Sequence, residues 1–162
     1  MTVNIDITKE LKAVEKLIKS DINKEKTILG LYNYIFKSDG KKIRSRLNLI
    51  ASSSSKNSHR YKLASIIELL HTATLVHDDV VDNASTRRGA VSVNSLWSNA
   101  HGVLIGDYIY SKAFMLMVEI GKKDILAELA DATNDISQGE LIQLDAISNI
   151  CLLYTSPSPR DI

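Results

Sequence analysis

Proline is nearly absent from this sequence. Its two prolines, Pro157 and Pro159, fall in the last six residues, so the first 156 residues contain no obligatory helix breaker. Cysteine is reduced to Cys151 alone, which excludes an internal disulfide and a thiolate-built zinc site and fits a reducing, cytoplasmic setting. Aromatic residues make up only 6% and glycines number seven, too few for a turn-rich β fold. Neither sign of charge prevails. Twenty Lys+Arg against nineteen Asp+Glu leave a net charge of +1. No global field therefore draws the chain to nucleic acid or an anionic membrane, and any charge that matters must be clustered. No apolar run approaches the roughly 20 residues that span a bilayer. The first residues, Met1 to Asp6, lack the basic and apolar regions of a secretory signal. No fixed period marks a repeat protein.

What remains is a globular composition, 44% hydrophobic and 24% charged over 162 residues, sufficient for one domain with a real core. Helical periodicity predicts six helices. The first covers 8–20, with Thr8 as N-cap and Leu11, Val14, Leu17 and Ile18 in one stripe. The second covers 24–36, with Ile28, Leu31, Tyr32 and Ile35 on one face. A basic turn at 40–46 leads into a short helix through Leu47, Leu49 and Ile50. A serine-rich loop at 52–58 precedes a long helix at 60–82, which a polar stretch at 83–89 breaks. Further helices are predicted at 99–120 and 123–149. The expected fold is all-α, an antiparallel helical bundle.

The most informative segment is His71-Thr-Ala-Thr-Leu-Val-His77-Asp78-Asp79-Val-Val-Asp82. Asp78 and Asp82 stand one helical turn apart, and at roughly 100° per residue His71 lies only about 20° from Asp78 around the axis. Two stacked carboxylates repel each other, so a cation must compensate them. Mg²⁺ fits, because it takes one or two carboxylates and fills its other positions with water and phosphate oxygens. A merely solvated acidic end explains Asp79 and Asp82 poorly, since acids are disfavoured at a helix C-terminus. Arg87-Arg88-Gly89 follows at once, and Lys41, Lys42, Arg44 and Arg46 crowd one turn upstream. Each basic cluster read alone is a solvated loop. Together with the carboxylates they describe a site for two diphosphates, one held through metal and one by bare cations. Nucleic acid fits less well, because neither cluster contains an aromatic residue.

Residues 71–89, HTATLVHDDVVDNASTRRG, closely resemble the first aspartate-rich region of the trans-isoprenyl diphosphate synthases, within them the long-chain bacterial octaprenyl type. Supporting likenesses are the turn Asp39-Gly-Lys-Lys-Ile-Arg44-Ser, the helix segment from Gly102 through Asp107 to Phe114, and Ser137-Gln-Gly139-Glu140-Leu-Ile-Gln143-Leu, together spanning about Ile28 to Asn149. The resemblance implies a bundle of the isoprenoid synthase type and an enzyme that joins isopentenyl diphosphate to an allylic diphosphate, making a long all-trans polyprenyl diphosphate for a quinone side chain. It implies that Asp78 and Asp82, with Asp79 beside them, bind Mg²⁺ on the allylic diphosphate, and that Arg87 binds the same diphosphate. Asp78, Asp82 and Arg87 are then the catalytic set, and Lys41, Arg44, His71 and Arg88 hold isopentenyl diphosphate. His77 is read as structural, while His59 and His101 carry no signal. Ala73 and Thr74 stand where the family places bulky residues to stop elongation, so their small size implies a long product. A homodimer is the family expectation.

The sequence departs from the pattern in places. Asp39 replaces a glycine and Ser45 a proline of the basic turn, which predicts a looser turn. No second aspartate-rich run follows Asp82. Residues 151–162, with two Ser-Pro pairs, resemble a translated adapter tail. The reading is therefore of residues 1–150 as the N-terminal part of a synthase domain, inactive alone and prone to associate through its last two helices. The rival readings are a non-catalytic helical subunit of a heteromeric synthase and a terpene cyclase. The cyclase does not call for the basic turn, His71 or Arg88.

Overall fold

A computed structural model of the chain describes residues 6–37, 40–55 and 57–147. Asp39, the end of the last predicted helix at 148–149 and the tail at 151–162 lie outside the described residues. In chain order the elements are α1 (Ile7–Ile18), α2 (Lys26–Ile35), α3 (Ile43–Ala51), α4 (His59–Val81), β1 (Thr86–Arg87), β2 (Ala90–Val91), α5 (Val93–Leu96), α6 (Asn99–Ile120) and α7 (Lys123–Ile147). The all-α expectation holds, with a two-stranded ribbon as the only sheet among the described residues. The chain divides after Ile120 into two compact units.

Each helix follows its apolar stripe. α1 buries Leu11, Val14 and Ile18. Its N-cap is Asp6, not Thr8: the Asp6 carboxylate accepts the Lys9 N–H at 3.1 Å and places negative charge at the positive end of the helix. The carbonyls at the other end of α1 are taken up from a distance. Tyr32 Oη on α2 donates to the Ile18 carbonyl at 2.6 Å, and the Lys112 ammonium on α6 donates to that of Ser20. Burial raises the Tyr32 phenol well above its usual range and lowers the Lys112 ammonium, whose charge Asp21 and Glu119 support.

α4 is the central helix, packed on α1, α3 and α6. It is buried at Ala64, Ile66, Leu69, Leu70, Ala73 and Val76. Ile66, Leu69 and Ile109 are fully enclosed, each contributing about 1.5–3 kcal/mol of apolar burial. α6 runs antiparallel to α4, as the pairings of Lys62 with Glu119, His77 with Gly106 and Val80 with Gly102 require. The two glycines, one turn apart, let the backbones approach: a Cβ on Gly102 lies 2.6 Å from Val80 Cγ2, and one on Gly106 lies 2.2 Å from His77 Nε2. The His77 ring fills that gap, with Nε2 3.2 Å from the Val103 carbonyl and 3.4 Å from Asp107 Oδ1, stacked on Tyr110. A carbonyl only accepts, so Nε2 carries the proton. His77 thus links α4 to α6 through these contacts.

Two elements differ from expectation. α3 begins at Ile43, so Arg44 and Arg46 belong to a helix and not to a turn. The stretch after α4 forms the β1–β2 ribbon and the single-turn α5, both too short to show a period. α6 exposes Leu104, Phe114, Met115 and Val118, and α7, described by itself, exposes Ile136, Leu141, Ile142 and Leu144.

The glycines give a paired test. Gly106→Ala forces the His77 ring to move and should destabilise by about 1–3 kcal/mol in urea unfolding. Gly30→Ala in α2, whose added methyl meets nothing within 4 Å, should stabilise by about 0.5–1 kcal/mol. Equal effects in the two variants contradict the close helix approach.

Candidate functional site

The acidic end of α4 is shaped by its own termination. Asn83 adopts a left-handed φ of 50°, its N–H donates to the Val80 carbonyl at 3.3 Å, and the Ala84 N–H reaches back to the Asp79 carbonyl at 2.9 Å. This is a Schellman ending with asparagine in the position glycine usually takes. The Asp82 N–H donates to the Asp78 carbonyl at 2.8 Å, so helical geometry persists through Asp82 and the two carboxylates share a face. Asp82 is exposed and Asp78 half-buried. Burial raises the Asp78 pKa. Arg87 opposes that shift, and the neighbouring Asp82 and Asp79 charges add to it.

Asp79 behaves differently. It is only 5% exposed, and its Oδ1 accepts from Arg87 Nε at 2.7 Å. Arg87 lies on β1 of the ribbon, in which Thr86 pairs with Val91 and Arg87 with Ala90. The two residues of the connecting turn, Arg88 and Gly89, have φ of 51° and 79°. Positive φ at both positions is the demand of a type I′ hairpin turn, easily met by glycine and at a cost of roughly 1–2 kcal/mol by arginine. The ribbon is tied to α2, because Tyr34 Oη donates to the Val91 carbonyl at 2.8 Å and the Tyr34 ring meets Trp97 edge-on at 5.1 Å.

The basic segment meets the same place from the other side. Arg44 Nη1 lies 3.0 Å from His71 Nε2. A guanidinium only donates, so His71 accepts through Nε2 and is neutral there, with its proton on Nδ1. Burial, then Arg44, lowers the His71 pKa, Glu68 partly offsets them, and Arg88 and Arg87 lower it further. Arg88 reaches across to the basic turn: a Cβ on Gly40 lies 2.7 Å from its Nη1. The looser turn expected from Ser45 is not seen. Ser45 is fully buried, with its N–H bonded to Glu68 Oε1 at 3.2 Å and its hydroxyl to the Ala64 carbonyl at 3.1 Å.

A cavity of about 650 Å³ is bordered by Lys42, Glu68, His71, Asp79, Arg87 and Arg88, with an apolar wall from α2 and α4; Asp78, Asp82 and Arg44 do not border it. Arg44 is brought to it through His71. Lys41 borders a smaller adjoining hollow with Lys12 and Arg46, and Lys42 is ion-paired to Glu15. Ala73 is buried in the core, and Thr74 turns its hydroxyl back to the His71 carbonyl at 2.8 Å. Neither borders this cavity. Among the described residues no three His, Cys, Asp or Glu side chains group to hold a metal. The donor set that exists, two stacked carboxylates with a third neutralised by arginine, suits a cation that completes its shell with water and phosphate. Tyr34 and Glu68 were not singled out from sequence. Glu68, three residues before His71, shares its helix face and could have been found by that spacing.

Gly40 offers a direct test of the convergence. The methyl group of Gly40→Ala meets only the end of the flexible Arg88 side chain, so the fold should survive while the guanidinium moves. Affinity for inorganic diphosphate, measured by calorimetry, should fall about three- to tenfold at an unchanged melting temperature.

Comparison with known proteins identifies the family. Residues 6–154 match the Polyprenyl synthetase family. The chain is 36% identical over 146 residues to the octaprenyl diphosphate synthase of Escherichia coli, covering 88% of this chain and 45% of that protein. It is 35% identical over 144 residues to the all-trans-nonaprenyl-diphosphate synthase of Rhodobacter capsulatus, covering 86% and 44%. The structure of a Caulobacter crescentus polyprenyl synthase, complexed with calcium and isoprenyl diphosphate, superposes with a TM-score of 0.81 at 36% identity, over 85% of this chain and 43% of that one. The chain thus spans a little under half the length of these relatives. A family match over nearly all the described residues, with a shared fold, establishes that the chain belongs to the polyprenyl synthetase family.

Proposed function

We propose that this chain carries the first carboxylate face and the cationic diphosphate pocket of a long-chain trans-prenyltransferase, which condenses isopentenyl diphosphate with an allylic diphosphate. One observation carries the reading: Arg44, His71, Arg87 and Arg88, from three separate elements, converge on one another, with Arg87 bound to Asp79 and close enough to act on the charge of Asp78. Arg87 and the carboxylate face receive the allylic diphosphate. Arg44, His71 through its Nδ1 proton, Arg88 and the neighbouring Lys41 receive isopentenyl diphosphate.

The chemistry explains the division. Breaking the allylic carbon–oxygen bond puts negative charge on the leaving diphosphate, and cations fixed in advance stabilise that charge without reorganising. A divalent cation on Asp78 and Asp82, Mg²⁺ in our reading, supplies further positive charge to the same leaving group. Its support is the carboxylate pair itself and the calcium held by the Caulobacter relative. The allylic cation must meet the isopentenyl double bond before water does, so the apolar wall formed by Leu75, Val76 and Ile35 serves to exclude water. Loss of a proton leaves a product longer by one isoprene unit. The family resemblance alone supports a long product, as a quinone side chain needs, through the small residues Ala73 and Thr74, which do not border the cavity. A cytoplasmic homodimer is the assembly we propose. No helix among the described residues is long and apolar enough to cross a membrane.

Calorimetry separates the two subsites. Allylic diphosphate should bind only with Mg²⁺, and Asp78→Asn with Asp82→Asn should weaken that binding at least about tenfold while sparing isopentenyl diphosphate. Arg88→Ala should do the reverse. Equal losses for both ligands in both variants contradict the assignment. Because the chain spans under half of its relatives, we expect it to bind both diphosphates yet form no product when they are supplied together with Mg²⁺.

A further inference from the structure

By its own sequence α3 begins badly. Its N-cap, Lys42, sits at a left-handed φ of 47° and offers no side-chain cap. Its first turn holds no acidic residue. Arg44 stands there with Arg46 directly behind it, and both are disfavoured by the positive end of the helix dipole. Yet this turn must hold Arg44 Nη1 3.0 Å from His71. The missing negative charge comes from α4, where Glu68 Oε1 accepts the Ser45 N–H at 3.2 Å. Ser45 is fully buried, and its hydroxyl fastens the same turn to the Ala64 carbonyl at 3.1 Å. Glu68 and His71, one turn apart on α4, therefore hold the start of α3 and its arginine together.

Glu68 also borders the cavity in which the cations converge. A carboxylate beside an anion's seat opposes binding unless its charge is engaged elsewhere. Resting on the diphosphate reading above, we infer that Glu68 is a positioning residue: its carboxylate caps α3 through the Ser45 amide and so fixes Arg44 against His71 to receive a diphosphate. The role depends on an N–H at position 45. Proline there keeps the first helical turn but has none to give.

Two measurements on the 162-residue chain test this inference. They are amide hydrogen exchange at Ser45, followed by NMR, and calorimetric affinity for inorganic diphosphate and isopentenyl diphosphate. Glu68→Ala should speed Ser45 exchange and weaken both affinities, each about tenfold, at unchanged helix content. Glu68→Gln, whose amide oxygen still accepts, should stay within about threefold of the parent in both. In a Ser45→Pro background, Glu68→Ala should no longer weaken binding. Glu68→Ala that binds as tightly as the parent, or glutamine no better than alanine, overturns the inference. A parent chain that binds neither diphosphate overturns the diphosphate reading, and the positioning role falls with it, while Ser45 exchange still reports whether Glu68 caps α3.

Discussion

The site hangs on the contact between Asp79 and Arg87. A carboxylate only 5% exposed needs a partner for its oxygens, and Arg87 Nε supplies one at 2.7 Å. Breaking such a pair leaves an uncompensated buried charge and costs about 3–5 kcal/mol. The contact joins the end of α4 to the ribbon that follows it, so the acidic helix end and the arginine turn cannot be displaced separately. It also sets apart the three aspartates. Asp79 is bound by Arg87, and in the proposed function Asp78 and Asp82 are the pair that offers charge to a cation.

The surrounding backbone serves the same end. Asn83 and Arg88 both take left-handed conformations that non-glycine residues avoid. Asn83 stops α4 one residue after Asp82 and turns the chain. Arg88 then reverses it again, which brings its guanidinium over Gly40. Strain of this kind persists only where surrounding contacts over-determine it. Here they are the Asp79–Arg87 pair, the Tyr34 bond to Val91, and the bonds from Ser92 and Asn94 to the Ala84 carbonyl at 2.6 and 3.1 Å.

Periodicity made the long helices legible, because α4 and α6 each repeat the apolar pattern over more than five turns. The stacking of Asp78 and Asp82 and the nearness of His71 followed from helical arithmetic alone. What periodicity could not show was anything decided between distant segments. The cap of α3 is invisible in its own sequence because the carboxylate comes from α4. The Gly102 and Gly106 spacing acquires meaning only once Val80 and His77 are seen to occupy the gaps. Arg88 and Gly40 are far apart in the chain, and only the type I′ turn brings them together. Ser45, taken from sequence as a loosening departure, proves to be a fastening point, because exchanging a proline for a residue with an N–H and a hydroxyl adds two bonds.

The charge of the pocket follows from how its groups are paired. Three arginines drawn toward one histidine repel one another, and their convergence needs negative groups close by. Asp79 and Glu68 provide them, each bound to a structural partner. His71 contributes by remaining neutral: accepting from Arg44, it adds no fourth positive charge and keeps a donor on Nδ1. Negative charge therefore offsets part, not all, of the positive charge within the site. The difference lies in direction, since the carboxylates are turned into protein contacts while the guanidiniums keep donors for a ligand. The mutual repulsion of these groups has therefore been overcome in folding, before any ligand arrives.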